Sequence, residues 1–156
     1  MDQRARQGLG EPDLKLAGFV LWIHSRQFPD AADYWDGNWL TVTAHCGDKG
    51  AEAWATGSFI HLPEIHQWIT ETQVLYDTLS GTAALACMEP ELTIQLKAET
   101  GGHITMTVEM TADHLTQHHR FEFDIDQSDL PVFLAQGRKV LSQFPLKAAD
   151  GAGNEV

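Results

Sequence analysis

The side chains best suited to chemistry in this sequence are eight histidines, two cysteines and a large excess of carboxylates. His114, His118 and His119 fall in the run HLTQHH, with the four-residue spacing that holds zinc when both rings share one helical face. The run joins two strand-like stretches, so no such face exists, and no acidic third ligand falls at a recognised spacing. A turn with solvated histidines is the reading. His61 and His66 are five apart across a helix start, the wrong separation for shared ligation. His45 and Cys46 are neighbours on a strand and point to opposite sides, which excludes a local Cys-His pair. A hydrolytic or metal-dependent enzyme would need these groups assembled through space, which no spacing indicates.

Asp124, Asp126 and Ser128 imitate the start of a calcium loop. The loop needs glycine at its sixth position and glutamate at its twelfth, where this chain has Asp129 and Ala135. A strand followed by a helix cap accounts for the same residues. No glycine-rich phosphate loop, dinucleotide fingerprint or nucleophile elbow occurs. The expectation is therefore no catalytic residues, no metal and no cofactor. One loop stands apart, with Asp30, Asp33, Tyr34, Trp35, Asp36 and Trp39 within ten residues. Aromatic anchors among acids suit a contact surface for a basic protein, with Asp33, Trp35 and Asp36 as the partner-binding residues. The competing arrangement folds Trp35 and Trp39 inward to close one end of the core.

The elements that must position these groups are clearest over residues 92–126. Leu92, Ile94 and Leu96, then Ile104, Met106, Val108 and Met110, then Phe121, Phe123 and Ile125 alternate with polar residues. A period of two puts all of them on one face of an antiparallel sheet that is dry on one side and wet on the other. Residues 14–25 read as one or two strands, with Gly18 at a bulge or bend, and residues 27–37 as a loop. Residues 38–46 form a strand with Leu40, Val42, Ala44 and Cys46 inward, paired through Gly47-Asp48-Lys49-Gly50 with residues 51–60. Residues 63–79 change period: Ile65, Trp68, Ile69, Thr72, Leu75, Tyr76 and Leu79 make a helical stripe, with Pro63 in the first turn and Gly81 at the stop. A short strand near 84–88 follows, and Gly101-Gly102 turns the chain between the next two strands. A second helix spans about 129–144, capped by Ser128 or Asp129, with Gly137 letting it approach the sheet. The fold class is α+β: a mostly antiparallel sheet of about six to seven strands with two helices, in the order strands, helix, strands, helix. No internal repeat is visible.

The 156 residues suit a single domain over 13–146, with flexible tails at 1–12 and 147–156. The N-terminal run has basic residues without an apolar stretch behind it, and no segment reaches the length of a membrane span. Cys46 and Cys87 lack ligand spacing and read as reduced, buried thiols of a cytoplasmic protein, a disulfide between them being the alternative. Ten basic against 22 acidic residues give a net charge of −12. That field repels phosphate backbones and anionic lipid surfaces, so neither nucleic acid nor membrane is an expected partner, and it speeds encounter with a basic protein. The small inward residues Ala44, Ala51, Ala53, Ala55 and Gly57 leave room for a ligand, which keeps open a small-molecule-binding or regulatory module.

Several segments together resemble the WapI-type immunity proteins of bacteria. They are a leading hydrophobic strand, the loop closing on Trp35 and Asn38-Trp39-Leu40, the strand opening Gly102-His103-Ile104, and Phe121-Glu122-Phe123-Asp124-Ile125-Asp126-Gln127-Ser128 entering the last helix. The similarity spans roughly residues 14–145. It implies a non-catalytic protein that binds and neutralises a cognate toxin, a tRNA-cleaving nuclease domain delivered between competing cells. It supplies no catalytic residues, and it does not identify this chain's partner.

Overall fold

The computed structural model describes residues 6–148. Residues 1–5 and 149–156, which make up much of the two expected tails, lie outside that range. Among the described residues eight strands form two separate four-stranded antiparallel sheets, in place of one sheet of six or seven strands. The first is a meander of β1 (Leu14–Leu16), β2 (Phe19–Arg26), β3 (Trp39–Asp48) and β4 (Ala51–His61). The second is a meander of β5 (Thr82–Ala86), β6 (Leu92–Ala98), β7 (His103–Met110) and β8 (His119–Asp126). Among the described residues three α-helices accompany them: the single turn α1 (Tyr34–Gly37) between β2 and β3, α2 (Leu62–Thr78) between the sheets, and α3 (Leu130–Gln143) after β8. The class α+β stands; the element count rises.

Each half of the chain is thus four strands followed by a long helix, although no repeat shows in the sequence. The contacts follow a matching pattern. Helix α2 packs on β5 and α3 on β1, the two helices meet, and β4 touches β7 as β3 touches β8. The strand-to-helix junctions also match. The His61 N–H donates to the Glu64 carboxylate at 2.7 Å, and the Asp126 N–H donates to Asp129 at 2.9 Å. In both, a carboxylate three residues on satisfies a backbone donor at the helix entrance, and a proline stands in the first turn (Pro63, Pro131). The Asp126 carboxylate accepts from the Ser128 N–H in turn, and that bond holds its pKa below the usual value. The acidic run at 124–129 is strand and cap, as its residue types indicate.

The period-two stretches bury the face expected of them. Leu92, Ile94, Leu96, Met106, Val108 and Met110 are fully buried, as are Leu40, Val42, Ala44 and Cys46. Ala53 and Ala55 are buried too, but Ala51 is exposed at the hairpin tip beside Lys49 and Gly50. Lys49 and Gly50 both have positive φ (52° and 88°), the paired left-handed geometry of a two-residue hairpin turn. Residues 14–26 resolve into two strands because the chain reverses at Ala17 and Gly18. A Cβ at Gly18 would overlap the Gly47 carbonyl oxygen, so only glycine fits where that turn presses on β3.

Gly137 has a different role from the one its stripe suggests. It brings α3 against α2 rather than against a sheet: a Cβ there would stand 2.8 Å from Ile69 Cγ1 and closer still to Cδ1. Gly137→Val is expected to destabilise the protein by about 1–3 kcal/mol through overpacking, measured as a fall in urea midpoint. The double variant Gly137→Val/Ile69→Ala should recover part of that loss. Helix α2 is capped two residues before Gly81, with Leu79 itself in the left-handed conformation (φ 52°) and its N–H bonded to the Leu75 carbonyl at 2.7 Å.

Candidate functional site

The acidic aromatic loop is organised by one of its own carboxylates. Asp33 caps α1: its Oδ2 accepts from the Asp36 N–H at 2.9 Å, and its carbonyl accepts from the Gly37 N–H at 3.1 Å. A single helical turn therefore stands where the sequence reads as loop. Trp35 is 51% exposed and Asp36 is exposed, while Asp33 is half-buried by its capping role. Trp39 is buried at 9%. The two tryptophans divide the two arrangements between them: Trp39 closes the core, and Trp35 leans on it edge-to-face at 5.7 Å with its outer side open.

His61 is the hub of this corner. It is 2% exposed and sits among Tyr34, Trp35 and Trp39 at ring-centroid distances of 5.4, 5.0 and 4.7 Å. Its Nε2 is 2.9 Å from the Trp35 carbonyl oxygen, so an Nε2–H tautomer donates there and fixes the height of α1. A metal-ligand or catalytic role leaves no open approach to this ring.

Below α1 the loop is clamped by the far end of the chain. Asn38, with no exposure, donates from Nδ2 to the carbonyls of Tyr34 at 2.7 Å and Lys147 at 3.0 Å. Its Oδ1 accepts from the Lys147 N–H at 3.0 Å and from Arg26 at 3.2 Å. Arg26 also donates to the carbonyls of Gly37, at 2.7 Å, and Pro145. The Lys147 ammonium binds the carbonyls of Pro29, at 3.0 Å, and Ala31. Residues 145–147 are thereby tied to the loop. Exposed Phe28 and Leu146 flank these bonded residues in sequence, adding apolar surface to a corner that also carries Asp30 and Asp36. Such a surface can bind; it has no arrangement of nucleophile, base and oxyanion donors.

The remaining sequence candidates lie apart from it. His114 and His118 are exposed in the connection from β7 to β8, and His119 opens β8. His45 faces the outside of the first sheet, 3.0 Å from Glu52 and 4.2 Å from the Trp54 ring, while Cys46 beside it is buried. Both cysteines are free. Burial, with Asp48 nearby, raises the Cys46 thiol to about 12, and burial beside Glu64 and Glu91 raises Cys87 as well, so both are protonated and poorly nucleophilic at neutral pH. Outside the first sheet, Trp22 and Trp54 stack at 6.0 Å, and the Arg6 guanidinium lies 4.4 Å over the Trp54 ring. No residue pattern foretold that Arg6 contact. The outer faces of β6, β7 and β8 carry Thr93, Gln95, Lys97, Thr107, Glu122 and Asp124, the wet face that alternation requires.

Glu64 links the His61 corner to the second sheet. Its Oε1 takes the His61 N–H and its Oε2 takes the Met88 N–H at 2.8 Å. Burial raises its pKa despite those bonds. The folded state therefore holds its proton more tightly than the unfolded chain. That contribution to stability is complete below the ordinary glutamate value and is lost as pH rises through the raised folded value. Wild type should consequently lose stability relative to Glu64→Gln between pH 4 and pH 8, read as the change in the difference of their urea midpoints. A difference independent of pH would contradict this.

Among the described residues, no helix is long and apolar enough to cross a membrane. No curated protein and no solved structure matches the chain. A family model does match, over residues 13–145, which takes in both sheets, the three helices described above and the α1 corner apart from Leu146 and Lys147. The chain belongs to the immunity protein WapI-like family.

Proposed function

We propose that this protein neutralises a cognate toxin in the cytoplasm by occupying it, without catalysis, and that the toxin domain is a nuclease with a basic surface. The observation that carries this reading is the family match across residues 13–145. The charge of −12 supports it, since a nuclease that binds phosphate backbones presents a basic surface, and opposite fields accelerate encounter. The α1 corner supports it further. Trp35 is a large, half-exposed ring braced from beneath by Trp39 and His61, so little conformational freedom is lost when a partner covers it. Asp36 sets a charge beside that anchor, and Asp33 shapes the turn that presents both.

The test is calorimetric titration with the cognate toxin domain. Trp35→Ala should weaken binding by about 2 kcal/mol, close to thirtyfold. Asp36→Asn should act mainly on the association rate and flatten its dependence on salt. Unchanged affinity in Trp35→Ala would remove the corner from the interface.

A further inference from the structure

We infer that the toxin-binding surface continues from the α1 corner onto the connection between β5 and β6, where Met88 and Glu89 are further contacts for the same basic partner. The inference rests on the reading of the protein as a toxin-binding module and adds residues from the second half of the chain to its interface. One tryptophan is too small to be an interface, since a stable complex covers about 800 Å² on each partner. A partner centred on Trp35 therefore spreads over the surface that adjoins it. Geometry names that surface. The two oxygens of the Glu64 carboxylate take the His61 N–H at 2.7 Å and the Met88 N–H at 2.8 Å, so the two backbones lie one carboxylate apart. The His61 ring is in turn 5.0 Å from the Trp35 ring. Met88 is 57% exposed, more than Trp35, whereas Cys87 before it packs against the core. Of the eight exposed large apolar side chains among the described residues, Phe28, Trp35 and Leu146 belong to the corner and Met88 to its neighbour across Glu64. Such a grouping marks a contact surface rather than scattered apolar exposure.

The connection is held ready for contact. Residues 87–91 read Cys-Met-Glu-Pro-Glu. Glu64 pins the Met88 end, the Glu91 carbonyl accepts from the Thr111 N–H at 2.9 Å and pins the other, and Pro90 fixes φ between them. Little freedom is left to lose when a partner covers it, and methionine adapts its shape to the apolar group it meets. Charge specifies the occupant. Asp30, Asp36 and Glu89 are exposed and make no ion pair among the described residues. The two cations of the corner, Arg26 and Lys147, are engaged by backbone carbonyls instead. The surface therefore sets apolar side chains between unpaired carboxylates. Its complement is a toxin face with an aliphatic side chain between lysines or arginines.

The experiment is amide NMR of the full chain titrated with the synthetic peptide Lys-Leu-Lys-Leu-Lys, blocked at both ends. Its control is the peptide with glutamate in place of lysine. Saturable shifts at the amides of residues 35, 36, 88 and 89 that follow one binding curve, with the basic peptide alone, would support the continuous surface. So would a loss of affinity of about fivefold or more in Met88→Ala, beside no change in Val132→Ala, whose side chain on α3 is still more exposed at 68%. Four results would overturn it: no saturable shift at 88 and 89 at millimolar peptide, shifts there on a different curve from those at 35 and 36, an equal response to both peptides, or the same affinity in Met88→Ala as in Val132→Ala. Neutralisation of the toxin is read separately, in cells, so loss of this extension would leave that function standing on the α1 corner.

Discussion

Trp68→Ala is expected to lower the free energy of unfolding by about 3–5 kcal/mol, a large share of the stability of a domain this size. Trp68 has no exposure and projects from α2 into the space where the first sheet and α3 meet. Its ring meets Phe19 of β2 edge-on at 6.3 Å and tilts against Phe133 of α3 at 4.7 Å. Truncation would leave a cavity that elements from both halves of the chain would have to fill. The indole Nε1 is buried without a hydrogen-bond partner among the described residues. Trp68→Phe therefore removes an unsatisfied donor along with some volume, and its cost should stay under about 1.5 kcal/mol. Urea unfolding of both variants checks this. Equal losses would show that the ring's bulk is not what joins the two halves.

Asn38→Ala is expected to cost about 3 kcal/mol, because it leaves backbone groups of Tyr34 and Lys147 and an arginine donor without their partner in a dry site. The loss should be local before it is global. Hydrogen exchange at the Lys147 amide and the fluorescence of Trp35 should both respond at denaturant concentrations where the Met106 amide in β7 is still protected. Asn38→Asp should not rescue it, since the two carbonyls that accept from Nδ2 would then face a carboxylate. Simultaneous loss of all three signals would mean that the clamp is part of the global unfolding unit.

These two sites show what the residue pattern could and could not disclose. Strands β6, β7 and β8 were legible because their alternation is nearly perfect, and period two dictates which side is dry. Alternation is silent on what covers that dry side, so two four-stranded sheets sharing one core read as a single larger sheet. The β1–β2 reversal was ambiguous because Ala17-Gly18 sits inside an apolar run, without the polar residues that usually mark a turn. Gly137 announced a close approach, but a helical stripe does not say which element approaches, and the neighbour proved to be Ile69 of α2.

The candidate site divides in the same way. Trp35, Asp33 and Asp36 stood out by composition, since aromatic rings among carboxylates are unusual in a short loop. The residues that hold them in place did not. Asn38 meets Lys147 across 109 positions, and Arg26 meets Pro145 across 119, separations at which no local pattern carries information. His61 looked like an unremarkable helix-entry residue because its aromatic surroundings come from the other end of β3 and from α1.

The central claim is that this acidic fold acts by covering a toxin. Its most direct test is co-expression: cells carrying the cognate toxin domain under an inducible promoter, with and without this protein, scored for survival and for intact tRNA. The account predicts survival and uncleaved tRNA with wild type and reduced protection with Trp35→Ala expressed at the same level. Cell death and tRNA cleavage despite abundant folded wild-type protein would contradict it.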